Sequence, residues 1–102
     1  MATIKQLTEL KGRTALITGA AGGLGRIIAD TLAELGADLY LLDLPGAGLD
    51  AFGEEIESRW GVRATVLQCD LEFSEQRRQL IEQVGADKRG LNILVNNAAF
   101  VG

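Results

Sequence analysis

Apolar and polar positions alternate along this chain in two distinct rhythms. Four short apolar runs stand out after Arg13: ALIT, LYLLD, VRATVLQC and NILVNN. Between them lie longer stretches in which apolar residues recur every three or four positions, the spacing that stacks side chains on one face of a helix. The order predicted is β-α-β-α-β-α-β. A strand covered on both faces reads as a continuous apolar run, whereas a half-exposed strand alternates, and LYLL and ILV are of the first kind. An α/β fold around a parallel sheet follows.

The first helix is expected to place Leu24, Ile27, Ile28, Leu32 and Leu35 on the face that covers the sheet, with Gly36 as its stop. The second runs from about Leu49 to Arg59, with Leu49, Phe52 and Ile56 on one stripe; Trp60 extends that stripe into the core before Gly61 ends it. Ser74 predicts an N-cap for the third, with Leu80, Ile81 and Val84 inward and Gly85 as the stop. Pro45 to Gly48 reads as a short βα loop. No repeat, linker or low-complexity tract divides the 102 residues, so residues 1–102 read as a single unit.

Composition narrows the function. With 47% hydrophobic and 24% charged residues the chain has apolar material enough for a soluble globular core. A net charge of −4 with scattered Lys and Arg offers no field for nucleic acid. Cys69 is the sole cysteine and there is no histidine, which removes an internal disulfide, thiolate–imidazole catalysis and a Cys/His metal site. Neither an apolar run of bilayer length nor a signal-peptide core is present, so a cytoplasmic protein without a membrane partner is expected.

The chemistry concentrates after the first run. Thr18-Gly19-Ala20-Ala21-Gly22-Gly23-Leu24-Gly25 joins a predicted strand to a predicted helix, where free backbone N–H groups at a helix N-terminus can hold a pyrophosphate. Gly19 permits a tight exit from the strand, Gly23 lets phosphate approach without a Cβ in the way, and Gly25 lets the helix pack closely on the sheet. Asp43, eighteen positions beyond Gly25, ends the second run. A carboxylate there accepts hydrogen bonds from both hydroxyls of an adenosine ribose and repels a 2′-phosphate. Residue 44 is Leu and residue 22 is Gly, so no basic neighbour offsets it. NAD is therefore expected in preference to NADP.

At this point a resemblance becomes specific. LKGRTALITGAAGGLGRIIA resembles the opening of the short-chain dehydrogenases/reductases, whose TG-x-x-x-G-x-G signature is matched by Thr18, Gly19, Gly23 and Gly25. Cys69-Asp70-Leu71 resembles the family's D-[LV] element, which implies that Asp70 contacts the adenine and that the backbone at Leu71 helps hold it. Leu94-Val95-Asn96-Asn97-Ala98-Ala99 resembles its L-V-N-N-A-G, implying that Asn97, Ala98 and Ala99 lie along the adenosine ribose. Ala99 departs from the family's glycine and narrows the backbone there.

The resemblance implies a Rossmann-type doubly wound sheet, present as its first half, with strand order 3-2-1-4. It also implies hydride transfer between a nicotinamide and a carbonyl or alcohol substrate, assisted by a Tyr, a Lys and a Ser located well beyond the fourth strand. Tyr40, the sole tyrosine, lies inside LYLLD and lacks the family's Y-x-x-x-K context. No catalytic residue is therefore expected among these residues, and the chain is expected to be the inactive front part of a longer enzyme. An open strand edge and a half-covered face predict association, as in a homo-oligomer. Two alternatives stand beside this: a non-catalytic dinucleotide-binding or sensing module, and an S-adenosylmethionine-dependent transferase, which also uses a glycine loop and an acidic strand end.

Overall fold

Thr14–Thr18 forms β1, every residue of it buried. Gly23–Glu34 forms α1, Asp38–Asp43 β2, Leu49–Trp60 α2, Ala64–Gln68 β3, Ser74–Gly85 α3 and Ile93–Asn96 β4. The computed structural model describes residues 9–87 and 90–97. All strands run parallel in the order β3-β2-β1-β4, with Leu16 beside Tyr40 on one flank and beside Leu94 on the other. This is the alternation and order expected. β1 lies inside the sheet, between β2 and β4, as suits a run buried on both faces.

Side chains alternate along each strand, so the sheet divides its core in two. On one face Ala15, Ile17, Leu39, Leu41 and Ala64 pack against Ala29 and Ala33 of α1 and Leu49, Phe52 and Ile56 of α2. On the other, Leu16, Tyr40, Leu42, Leu67 and Cys69 meet Leu80 and Val84 of α3. Two helices on one face and one on the other is what right-handed crossovers produce for this strand order. Among the described residues no helix is long and apolar enough to cross a membrane.

Three helix details differ from the periodicity. The buried stripe of α1 is Gly25, Ala29 and Ala33, while Leu24 and Ile27 are 62% and 65% exposed. Small residues let this helix lie close to β1 and β2, and the larger Ile28 and Leu32 fill only the flanks. In α3, Ser74 is the first helical residue, Phe73 occupies the cap position without a side-chain bond, and Gly85 ends the helix with Ala86 as C-cap. Ile81 points outward at 70% exposure. The α2 reading is matched: the helix ends at Trp60, and Gly61 adopts the left-handed conformation that only glycine takes readily. Trp60 packs against the first core and donates its Nε1–H to Asp30 Oδ1 at 2.8 Å, consistent with the core role rather than ligand stacking.

ILV in β4 behaves unlike LYLL in β2. Ile93 and Val95 are half-buried on the two-helix face, whereas Leu94 is 63% exposed on the other. The continuous run there is covered on one side only.

Candidate functional site

The carboxyl ends of the parallel strands open onto a cleft of about 860 Å³, within the usual size range of a small-molecule site. Gly19 and Gly22 line it from the β1–α1 turn, Asp43 and Leu44 from the end of β2, Cys69 to Glu72 from the end of β3, and Asn96 and Asn97 from the end of β4. In an open α/β sheet the crevice outside the strand ends is where ligands bind. The sequence motifs, distant along the chain, meet there because a parallel sheet aligns all its strand ends.

The turn is built for backbone, not side chain. Gly19 has φ +64 and is the residue at which the chain leaves β1. Gly22 caps α1 without a side chain, and no acidic residue occupies the first turn, so the first N–H groups of this helix have no side-chain acceptor. A Cβ on Gly23 would meet nothing within 4 Å, whereas one on Gly25 would lie 2.2 Å from the Gly19 carbonyl oxygen. Gly25 therefore permits close packing, but of the helix against its own turn rather than against the sheet. Gly23, Leu24 and Gly25 do not line the cleft directly; they form the helix end beside it.

Asp43 reaches back to that turn. Its Oδ2 accepts the Ala21 N–H at 2.9 Å and its Oδ1 accepts the Leu44 N–H at 2.7 Å. A carboxylate offers about four acceptor positions, so about two remain for a ligand. At the end of β3, Asp70 takes the Glu72 N–H at 3.0 Å and donates its own N–H to Gln76 Oε1 at 2.6 Å, which fixes the Asp70-Leu71 turn over α3. Burial pushes the Cys69 thiol up, the Asp70 charge adds to this, and Arg77 opposes it.

Thr18 ties the end of β1 to the end of β4. Its hydroxyl accepts the Asn97 N–H at 3.0 Å and lies 3.2 Å from Asn96 Oδ1, while Asn97 Nδ2 donates to the Gly19 carbonyl at 3.3 Å. The NN pair thus braces the turn. Ala98 and Ala99 lie outside the described residues.

Of the residues singled out in the sequence, the structure brings Gly19, Gly22, Asp43, Asp70, Leu71 and Asn97 to one cleft. Leu42, Leu44, Cys69 and Glu72 line it too and were not singled out. The rule that ligands sit at strand carboxyl ends would have found Leu44 and Cys69, each of which directly follows a strand. Tyr40 is buried, and its hydroxyl bonds to the Asp87 carboxylate rather than facing the cleft.

Comparison with known proteins agrees with this geometry. The chain is 34% identical over 92 residues to the 3-oxoacyl-acyl-carrier-protein reductase FabG of Aquifex aeolicus, covering 90% of this chain and 37% of that protein. It is 38% identical to a tropinone reductase homolog of Arabidopsis thaliana, covering 95% and 36%. The structure superimposes on a short-chain type dehydrogenase/reductase from Mycobacterium marinum with TM-score 0.86 at 32% identity, over 99% of this chain and 40% of that one. L-sorbose reductase from Gluconobacter frateurii, complexed with NADPH and L-sorbose, gives TM-score 0.83 at 30% identity, over 91% and 35%. The chain spans little more than a third of the length of these two curated relatives. The short chain dehydrogenase family model matches residues 13–102, and with motif, fold and cleft all in agreement the chain belongs to the short-chain dehydrogenase/reductase family.

Proposed function

We propose that this chain is the dinucleotide-binding unit of an oxidoreductase that moves hydride between a nicotinamide and a small carbonyl or alcohol substrate. The observation that carries the reading is the meeting, at one cleft, of an uncapped helix N-terminus and the Asp43 carboxylate. Residues and group fit: a Cβ on Gly23 would meet no group from elsewhere in the described chain within 4 Å, which leaves room for a pyrophosphate against the backbone. The N–H groups of the α1 first turn, behind Gly22, Gly23, Leu24 and Gly25, would hold the phosphates. Asp43 would take the adenosine ribose, Asp70 and Leu71 the adenine, and Asn97 with Ala98 and Ala99 the ribose side of the β4 end. The nicotinamide supplies the hydride acceptor or donor carbon; these residues bind and orient it.

NAD is the expected cofactor. L-sorbose reductase carries NADPH, but here Asp43 presents negative charge where a 2′-phosphate would add two more. Among the described residues no tyrosine lines the cleft, and Tyr40 is engaged elsewhere; the 102 residues alone are expected to turn over no substrate. A single buried thiol agrees with a reducing cytoplasm. Leu94, exposed beside a strand that has no outer partner among the described residues, favours self-association.

Calorimetry with NADH and NADPH tests the reading. Tighter binding of NADH is expected, with the preference narrowed in Asp43→Ala. Equal or tighter binding of NADPH by the unmutated protein would overturn the NAD preference, and binding of neither would overturn the site.

A further inference from the structure

One residue of the glycine-rich turn is gripped through both its backbone N–H and its carbonyl by side chains of opposite charge. The Ala21 N–H donates to Asp43 Oδ2 at 2.9 Å, from the end of β2, and the Ala21 carbonyl oxygen accepts from Arg26 Nε at 2.9 Å, from the next turn of α1. The Arg26 guanidinium in turn lies 4.7 Å from the Phe52 ring centroid of α2. Charge-assisted bonds of this kind are about twice as strong as neutral ones. The turn's own backbone bonds are weaker in geometry: Gly22 N–H reaches the Gly19 carbonyl at 3.3 Å and Ala20 N–H the Leu42 carbonyl at 3.1 Å. A segment holding Gly19, Gly22 and Gly23 loses much conformational freedom when ordered. Fixing it before a ligand arrives removes that loss from the binding step.

We propose that Asp43 is a positioning residue for the phosphate-binding turn as well as a ribose acceptor, so that one carboxylate couples the two halves of nucleotide recognition. The proposal rests on the dinucleotide reading of the cleft. Its two roles use different lone pairs: one on each oxygen accepts the Ala21 or the Leu44 N–H, and about two are left for a ligand in the cleft that Asp43 lines.

The two roles separate with a ligand that has phosphates and adenine but no ribose hydroxyls, 2′,3′-dideoxyadenosine diphosphate. If Asp43 serves the ribose alone, Asp43→Ala leaves affinity for this probe unchanged. If its charge matters most, removing a carboxylate near a diphosphate tightens binding. If Asp43 holds the turn, affinity falls. The three cases differ in sign, so no magnitude is needed to tell them apart.

Asp43→Ala is expected to weaken the dideoxy probe about three- to tenfold, the size of one lost hydrogen bond to a charged group at a partly exposed site. Asp43→Asn keeps one acceptor oxygen for Ala21 N–H and is expected to stay within about twofold for the probe, by the same reasoning. Both variants should bind ADP more weakly than the unmutated protein does. Unchanged or tighter binding of the probe by Asp43→Ala overturns the positioning role. Amide hydrogen exchange at Ala21, read by NMR without ligand, decides the same point independently: faster exchange in Asp43→Ala than in Asp43→Asn supports it, and equal exchange in all three proteins overturns it. Failure of the unmutated protein to bind ADP would instead remove the dinucleotide reading, leaving the exchange result to decide whether Asp43 orders the turn.

Discussion

The two faces of the sheet are built from similar strand residues and end up in different states. On the two-helix face Ala15, Ile17, Leu39 and Leu41 are at most 1% exposed. They are reached by α1 through Ala29 and Ala33, small residues that bring the helix backbone close. On the other face Leu16, Tyr40, Leu42 and Leu67 are buried, yet α3 buries none of its own residues fully and Leu94 stands open. The difference teaches that coverage, not strand composition, decides burial in a parallel sheet: ILV and LYLL read alike, but only LYLL lies under helices on both sides. Close packing by small side chains makes the first face rigid and intolerant. On the second face the residues of α3 and Leu94 are less buried, and substitutions there are expected to cost less.

The largest effect expected from this contrast is at Gly25. An added methyl would sit 2.2 Å from the Gly19 carbonyl oxygen and 2.9 Å from Ala20 Cα, both backbone atoms that cannot step aside without moving the turn. Gly25→Ala should therefore destabilise the fold by roughly 3 kcal/mol or more, against a typical point-mutation effect of about 1 kcal/mol. Gly23→Val, two residues away with nothing within 4 Å of its Cβ, should leave the circular dichroism spectrum native while dinucleotide binding is lost. Urea unfolding of both variants beside a binding titration checks this. Equal destabilisation by the two would break the distinction between a packing glycine and a ligand-facing one.

On the open face the expected effect moves from stability to association. Leu94→Gln replaces a 63% exposed side chain, so stability should change by no more than about 0.5 kcal/mol. If the unmutated chain self-associates as proposed, the average mass by light scattering should fall, because among the described residues Leu94 lies beside a strand edge with no partner strand, a template for another chain. A variant that associates as strongly as the unmutated chain would show that the contact lies elsewhere, with Ile81 the next candidate at 70% exposure.

The sheet order and the cleft were legible because they rest on local signals: apolar runs, a glycine turn, and acids or asparagines directly after strands. Asp43, Asp70 and Asn97 reach the cleft as their places at strand ends require. What periodicity could not supply was which of two helical stripes faces inward. In α1 both Leu24-Ile27-Ile28 and Gly25-Ala29-Ala33 fit a helical repeat, and the smaller stripe wins because the sheet is close. In α3 the mistaken cap at Ser74 and the outward Ile81 share a cause: a helix with so little of its surface buried is only weakly fixed by packing. The hydrogen bond from Ala21 N–H to Asp43 had no sequence signal, since it joins residues 22 positions apart through backbone geometry.

The smallest expected effect lies where the second face meets the cleft. Cys69 is buried at the end of β3, its N–H bonded to the Asp43 carbonyl at 3.0 Å. Burial favours the neutral thiol, Asp70 adds to that preference, and Arg77 only partly offsets it. Below the ordinary thiol pKa of about 8.5 the folded and unfolded chains both keep the proton, and this residue contributes no pH dependence. As the pH rises through that value the unfolded chain ionises first and binds fewer protons than the folded one. Stability must then fall with rising pH until the folded thiol ionises in its turn. The urea midpoint of the unmutated protein should therefore decline slightly more between pH 8 and pH 10, roughly the window set by the ordinary thiol value, than that of Cys69→Ala. The Ala variant starts lower, having lost a buried sulfur, so the two midpoints converge as the pH rises. Parallel declines would show that the thiol is hydrated in the fold, and that the sparse cover of α3 admits water as far as the end of β3.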